Sequence, residues 1–339
     1  MAERDAAMLR FLASAGWAGA RRVALAGDAS SRRYFRLSRG GQSAVLMDAR
    51  AQGGDGLAAF IRIARWLTGI GLSAPKILFA DPAAGLLLLE DLGDALFARI
   101  LEETPGSETE LYRAAVDVVI ATQRQTPPEG LVAFDPALLA DQSLLLHEWY
   151  LAAQGRRPSC DAASFRAAFE TVLRQHCATC DVLIQRDFHA ENLIWRPERA
   201  GLARVGLLDF QDAMLGHRAY DLMSLLQDAR RDVTPETEAA MIAHYLGETG
   251  AEPEAFRAAY AVLGAQRNLR ILGIFARLSL HFGKPHYVDL IPRVWQHVAR
   301  NLAHPALAGV RRMLEPDLPF PDDQFLKGLK DRCGTIPTL

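Results

Sequence analysis

The chain has 339 residues, half of them apolar and 23% charged, ordinary proportions for a globular enzyme long enough to form two compact units. Basic residues number 38 against 40 acidic ones, giving a net charge of −2 and a pI near 6.5; no basic stripe marks a nucleic-acid binder. Four cysteines make no disulfide framework, no run reaches the ~18 apolar residues that cross a bilayer, and the N-terminus lacks a basic leader, so the chain reads as cytoplasmic.

Ala6, Met8, Leu9, Leu12 and Ala13 recur at helical spacing and predict a short opening helix over 5–15. Apolar runs at Arg22–Leu25, Tyr34–Leu37, Ser43–Met47, Lys76–Ala80 and Leu86–Leu89 follow, separated by Gly27-Asp28, Gly40-Gly41 and Asp81-Pro82, which read as strand connections. Leu57, Phe60, Ile61, Ala64 and Leu67 mark one amphipathic helix among them. The first ~90 residues therefore read as a five-stranded antiparallel sheet with one helix. After Leu92-Gly93 the pattern turns helical: Ser107-x-x-Glu110 predicts a capping box on a helix to about Gln123, and 138–153 and 162–179 are helical in spacing. Short strand-like runs, Val182–Ile184, Leu193–Trp195 and Val205–Leu208, surround a polar segment. Thr234-Pro235 reads as the start of a late helix, and the last 25 residues, rich in Pro and Asp, as a surface tail. The expectation is an α+β, two-lobed fold: 1–92 a β-rich nucleotide-binding lobe with one helix, and 93–339 a larger, mainly helical lobe with the catalytic loop and the substrate site.

Chemistry concentrates in Ile184-Gln185-Arg186-Asp187-Phe188-His189-Ala190-Glu191-Asn192 and in Leu207-Leu208-Asp209-Phe210-Gln211-Asp212. Each acidic or amide group follows an apolar strand that can fix it, and a hairpin would return Asp209 to Asn192. Phosphoryl transfer needs this set. Hard oxygens, here Asn192 and Asp209, hold Mg²⁺ against the phosphates, and a carboxylate, here Asp187, orients the attacking hydroxyl and takes its proton. D-x-x-x-x-N followed by an Asp after a second apolar strand is the protein-kinase catalytic pattern. ATP and Mg²⁺ are the implied cofactors. Cys177-x-x-Cys180, with Cys160 and His176 nearby, lacks the second pair of a zinc site and reads as reduced thiols at a helix end.

The chain resembles the aminoglycoside phosphotransferase family of kinase-fold enzymes. Asp187-Phe188-His189-Ala190-Glu191-Asn192 matches its catalytic loop, Asp209 its following Asp, and Gly216-His217-Arg218-Ala219-Tyr220-Asp221-Leu222 its later Gly-to-Asp-Leu motif. Within it, Gly27–Arg36, Val45–Ala49, Leu88–Gly93, Leu208–Ala213 and Gly273–Leu278 are similar to the anomeric amino-sugar kinases of bacterial cell-wall recycling. That resemblance implies ATP-dependent phosphorylation of a sugar's anomeric hydroxyl, with a small-molecule sugar as partner and no nucleic acid or membrane.

One departure stands out. Kinases of this kind carry a third-strand Lys paired with a Glu on the next helix; here Met47 holds the Lys position and 57–68 has no acidic residue. Ser30, Ser31, Arg32 and Arg33 are the candidates for meeting the phosphates instead. Glu90 and Leu92 resemble the hinge whose backbone binds adenine. Substrate candidates are Asp212, Glu148, Arg267, Asn268 and Arg277, with Lys284 and His286 able to meet a lactyl carboxylate. His189 and Asp221 read as supports of the catalytic loop. Two alternatives stay open: a kinase for another hydroxyl (aminoglycoside, choline or homoserine), and a nucleotide-binding pseudokinase, which would not need Asp187, Asn192 and Asp209 together.

Overall fold

The structure is a computed structural model that describes residues 2–25, 32–49 and 53–337. In chain order its elements are α1 (Ala2–Ser14), β1 (Arg21–Leu25), β2 (Arg33–Arg39), β3 (Gln42–Asp48), α2 (Gly53–Gly69), β4 (Ile77–Asp81), β5 (Leu86–Glu90), α3 (Phe97–Glu103), α4 (Glu108–Gln123), α5 (Pro136–Ser143) and α6 (Ala162–Cys177). There follow β6 (Val182–Ile184), β7 (Leu193–Trp195), β8 (Val205–Leu207), β9 (Met214–Gly216), α7 (Tyr220–Leu226), α8 (Pro235–Thr249), α9 (Pro253–Leu280), α10 (Ile291–Leu302), α11 (Ala308–Leu314) and α12 (Asp323–Asp331). They divide into two compact units: residues 1–130 with 185–213, and residues 131–184 with 214–339. The change from strands to helices at Leu92-Gly93 falls inside the first unit.

The first unit is built on an antiparallel sheet of order β1-β2-β3-β5-β4. Strand alternation gives it two distinct faces. Leu37, Ala44, Leu46, Leu86 and Leu88 share one face and form a core with Met8, Phe11 and Leu12 of α1. Tyr34, Met47 and Leu87, paired across β2, β3 and β5, share the other. β5 is apolar and buried on both faces, so its Leu86–Leu89 run shows no alternation in the sequence. On α2 the buried residues are Leu57, Phe60, Ile63, Ala64 and Leu67; Ile63 takes the inward place expected of Ile61. This helix starts at Gly53, four residues before Leu57, and so includes Asp55.

The β7–β8 hairpin belongs to this unit and is stitched to it. Leu207 N donates to Ser73 O at 2.9 Å, Ser73 Oγ to Ala203 O at 2.8 Å, and Trp195 N to Ala95 O at 2.7 Å. Gly206 lets the hinge approach: a Cβ there would lie 3.2 Å from both Leu92 Cδ1 and Ile194 Cβ.

The second unit is helical around α9. Gly273 sits so close to a π-helical turn, Leu146–Leu151, that a Cβ would fall 2.2 Å from Leu145 O. β6 pairs with β9, with β7 and β8 between them in sequence, and Thr234 caps α8 as expected, accepting from Thr237 N at 3.1 Å. Two expectations fail. Ser107 makes no side-chain cap, because it closes a 3₁₀ turn over 105–107 with helical backbone rather than the extended Ncap geometry. The C-terminal segment is no surface tail: Asp317 is buried, Leu329 is fully buried, and Tyr150 Oη donates to Pro319 O at 3.2 Å. Cys177 is buried with its thiol on Ala259 O, and Cys180 meets Phe134 O; the four cysteines are unbridged. Among the described residues no helix is long and apolar enough to cross a membrane.

Candidate active site

Asp187, Asn192 and Asp209 all lie in the first unit, on two connected turns. β6 delivers the chain to Asp187 through Arg186, whose φ of 72° is left-handed; Asp209, with φ 55°, is the other non-glycine residue of this kind among those described. Side chains resist that conformation, so its use at both turns, and nowhere else described, marks them as sites where geometry overrides local preference.

Hydrogen bonds lock the turns together. Asn192 Nδ2 donates to the Asp187 backbone oxygen at 2.8 Å, Asn192 N to His189 O at 2.9 Å, and Leu208 N to Asn192 O at 2.9 Å. The β7–β8 register, Leu193 opposite Leu207, thus returns Asp209 beside Asn192, as the hairpin spacing predicts. His189 is buried with Nε2 3.3 Å from Asn192 Nδ2, a position that fits loop support. The Asp187 carboxylate has no hydrogen bond or ion pair among the described residues and is partly exposed.

Sequence reading missed two residues here. Gln211 is buried, and its Nε2 donates to Asp209 Oδ1 at 2.7 Å while its Oε1 has no partner. Tyr34 lies on the Met47 face of the sheet. Burial pushes its hydroxyl up from the usual phenol value, a hydrogen bond and the positive charge of Arg32 pull it down, and the negative charge of Asp209 adds to the rise. Strand alternation could have flagged Tyr34; nothing in the sequence singles out Gln211. Phe210 packs on Phe60 of α2 with ring centroids 5.0 Å apart.

The donor set suits a hard cation. With its nitrogen engaged by Asp187 O, the Asn192 amide keeps Oδ1 for a ligand, and Asp209 keeps Oδ2. Among the described residues no cluster of three or more His, Cys, Asp or Glu gathers for a metal. A two-oxygen protein site fits Mg²⁺, which keeps waters and takes phosphate oxygens.

The nucleotide candidates divide. Ser30 and Ser31 lie outside the described residues. Arg32 is buried, with its guanidinium 6.0 Å from the Phe60 ring centroid. Arg33 is a correction: alternation turns it onto the α1 face, where it pairs with Asp48 at 2.5 Å beside Arg4, away from Tyr34 and Asp209. The Glu90 carboxylate pairs with Arg196 at 3.2 Å and its N–H donates to Lys76 O at 2.8 Å, which fixes the end of β5 and takes both groups from a ligand. Leu92 is buried with its N–H and C=O unbonded among the described residues. Arg36 ties the same hinge through Asp91 at 2.8 Å and through Asp94.

Of the substrate candidates, Asp212 is in this unit, exposed, its backbone oxygen 3.4 Å from Arg186 Nη1. The others belong to the second unit. Glu148 is exposed on the π-helical turn, and Arg277 is half-buried with its guanidinium 5.9 Å from the Phe282 ring. Arg267 is buried, and Asn268 is fully buried, donating to Gln227 Oε1 and Gly264 O at 2.8 Å each. Asn268 is therefore core and not a sugar contact, a second correction. Asp221 is buried in the first turn of α7.

The sequence profile of the phosphotransferase enzyme family matches residues 22–259. The chain belongs to that family. It is a phosphotransferase with a protein-kinase-like α+β fold. Among similar members of known name, an N-acetylmuramate/N-acetylglucosamine kinase of Caulobacter vibrioides is 43% identical, covering 94% of this chain and 97% of the relative. A kinase of the same name from Pseudomonas aeruginosa is 32% identical, covering 91% and 93%. Choline kinase LicA from Streptococcus pneumoniae shares the phosphotransferase fold, with a TM-score of 0.58 at 13% identity over 97% of this chain and 99% of that one.

Proposed function

We propose that the chain is an ATP- and Mg²⁺-dependent N-acetylmuramate/N-acetylglucosamine kinase that phosphorylates the anomeric hydroxyl to the α-1-phosphate, in the cytoplasm, for cell-wall recycling. The observation that carries the acceptor is likeness along the whole chain: 43% identity over 94% of this chain and 97% of the Caulobacter kinase includes the helical regions beyond the kinase core. The chemistry rests on the Asp187–Asn192–Asp209 set.

In this reading residues 1–92 act as the nucleotide lobe and 93–339 as the catalytic and substrate lobe. The backbone at Glu90 and Leu92 meets adenine. Asn192 and Asp209 would hold Mg²⁺, which would supply neutralisation of phosphate charge when bound. Asp187 accepts a hydrogen bond from the sugar hydroxyl, orients it in line with the γ-phosphorus, and takes its proton as the new P–O bond forms and the bond to ADP breaks. That its carboxylate has no competing partner among the described residues supports this role. Gln211 keeps Asp209 in one rotamer. His189 and Asp221 support the loop, and Asp212, Glu148, Arg267 and Arg277 are the remaining candidates for sugar recognition.

ADP release with ATP, Mg²⁺ and a panel of N-acetylmuramate, N-acetylglucosamine, kanamycin, choline and homoserine tests this. Turnover with the two amino sugars, with phosphate on C1 by ³¹P NMR, is expected. Turnover with only another panel member would replace the acceptor and keep the mechanism. ATP binding without turnover of any member would favour a nucleotide-binding regulator.

A further inference from the structure

At the position where the kinase pattern asks for a third-strand lysine, Met47 is 0% exposed, paired across the sheet with Tyr34 and Leu87. No ammonium reaches the phosphates from there, and a phosphoryl-transfer site without a cation beside Mg²⁺ leaves α- and β-phosphate charge poorly met. Arg32 precedes β2 and Arg33 and Arg36 lie on it, and their geometry separates them. Arg33 faces α1 and holds Asp48; Arg36 holds the hinge through Asp91 and Asp94.

Arg32 is different. Two residues before Tyr34, it shares the Met47 face, and continuing the β2–β3 register beyond Arg33–Asp48 sets it diagonal to Met47. Diagonal cross-strand neighbours lie ~7–8 Å apart, within reach of an arginine stem. The residue is 5% exposed, its guanidinium is 6.0 Å from the Phe60 ring centroid, and Phe60 touches Phe210, the residue after Asp209. Tyr34, on the same face, feels the charges of both Arg32 and Asp209 at its hydroxyl. The cation therefore sits among β2, α2 and the Asp209 turn, where a strand lysine would end.

We infer that Arg32 replaces the missing lysine as the residue that binds the nucleotide's α- and β-phosphates, an inference that rests on the kinase reading above. A guanidinium has five N–H donors, so it can present a planar, two-pronged face to phosphate while keeping its partners in the protein. Met47 fits this arrangement: an apolar side chain at the lysine position adds no second cation beside Arg32.

The test is binding of ATP, ADP and adenosine by calorimetry to the wild-type full chain, Arg32→Gln, Arg32→Lys and Arg33→Ala, each checked by thermal melt. Loss of a charged hydrogen-bonding partner should weaken ATP and ADP about 10- to 100-fold in Arg32→Gln, with adenosine affinity unchanged. Arg32→Lys, which keeps the charge and loses the fork, should fall between; it also serves if Arg32→Gln does not fold. Arg33→Ala should bind all three as the wild type does. Equal loss of all three ligands in a folded Arg32 variant would assign Arg32 to sheet structure and overturn the inference, as would no loss at all. A wild-type chain that binds none of the three would overturn the kinase reading and this inference with it.

Discussion

Among the described residues the Asp187 carboxylate has no hydrogen bond while its backbone oxygen is clasped by Asn192, so the two halves of one residue serve different ends. Removing the base and keeping the shape separates them. Asp187→Asn should lower kcat by about 10²-fold or more, as loss of general base catalysis does, with ATP affinity nearly intact. Wild-type-like turnover in that variant would take Asp187 out of the mechanism. Gln211 makes a second prediction at this scale. Its amide holds one oxygen of Asp209 and leaves the other for the cation, so Gln211→Ala should raise the Mg²⁺ concentration needed for half-maximal rate, with the melting temperature little changed. An unchanged Mg²⁺ requirement would reduce Gln211 to packing. The turns bearing Asp187, Asn192 and Asp209 were legible because spacing alone sets apolar strands beside them: Asp187 after β6, Asn192 just before β7 and Asp209 after β8. Gln211 was not, since its role comes from the left-handed turn at Asp209, a backbone feature that a non-glycine residue does not announce. Arg33 was misread for want of parity: one residue along a strand is the opposite face.

Strands and helices were read where one face is buried against one neighbour, as on β2, β3, α2 and α8. The reading failed where tertiary contacts decide. Ser107 carries the sequence of a cap but enters α4 already helical from the turn before it. The segment after Leu314 looks polar because its apolar residues are few, yet Leu329 is fully buried and Asp317 is a hub. Asp317 accepts from Arg156 Nη1 at 2.8 Å, from Ser159 N at 2.6 Å and Oγ at 2.5 Å, and from Cys160 N at 3.2 Å. Burial alone would push its carboxyl up; the hydrogen bonds from Ser159, Cys160 and Arg156 outweigh this and hold it at about 2. A carboxyl depressed in the folded state adds stability above its unfolded value near ~3.9, and loses it as pH falls through the folded value. Asp317→Ala should therefore cost about 2–3 kcal/mol in urea unfolding at pH 7, through donors left buried without an acceptor. The difference from wild type should shrink between pH 4 and pH 2. A constant difference over that window would mean the charge is not what matters.

At the scale of the whole chain, the β-to-α change at Leu92 and the grouping by packing fall in different places. The chain passes between its two units after residues 130, 184 and 213, so the catalytic turns at 185–213 are packed with the β-sheet although ~90 residues of sequence separate them. No local pattern could show this. It depends on contacts between Ser73 and Leu207, Ala95 and Trp195, Glu90 and Arg196, and Phe60 and Phe210. A fragment ending at residue 92 keeps all five sheet strands but loses every partner in that series from 95 onward. It uncovers Leu92 and Phe60, and strands Glu90 without its arginine. Burial of such side chains is worth ~1.5–3 kcal/mol each, a large part of the stability of so small a domain. The fragment 1–92 should therefore show no cooperative thermal transition by circular dichroism and should aggregate, while the full chain melts cooperatively. A sharp, reversible melt of 1–92 alone would mean that the sheet and α1 suffice. The catalytic turns would then be passengers on the sheet rather than part of what folds it.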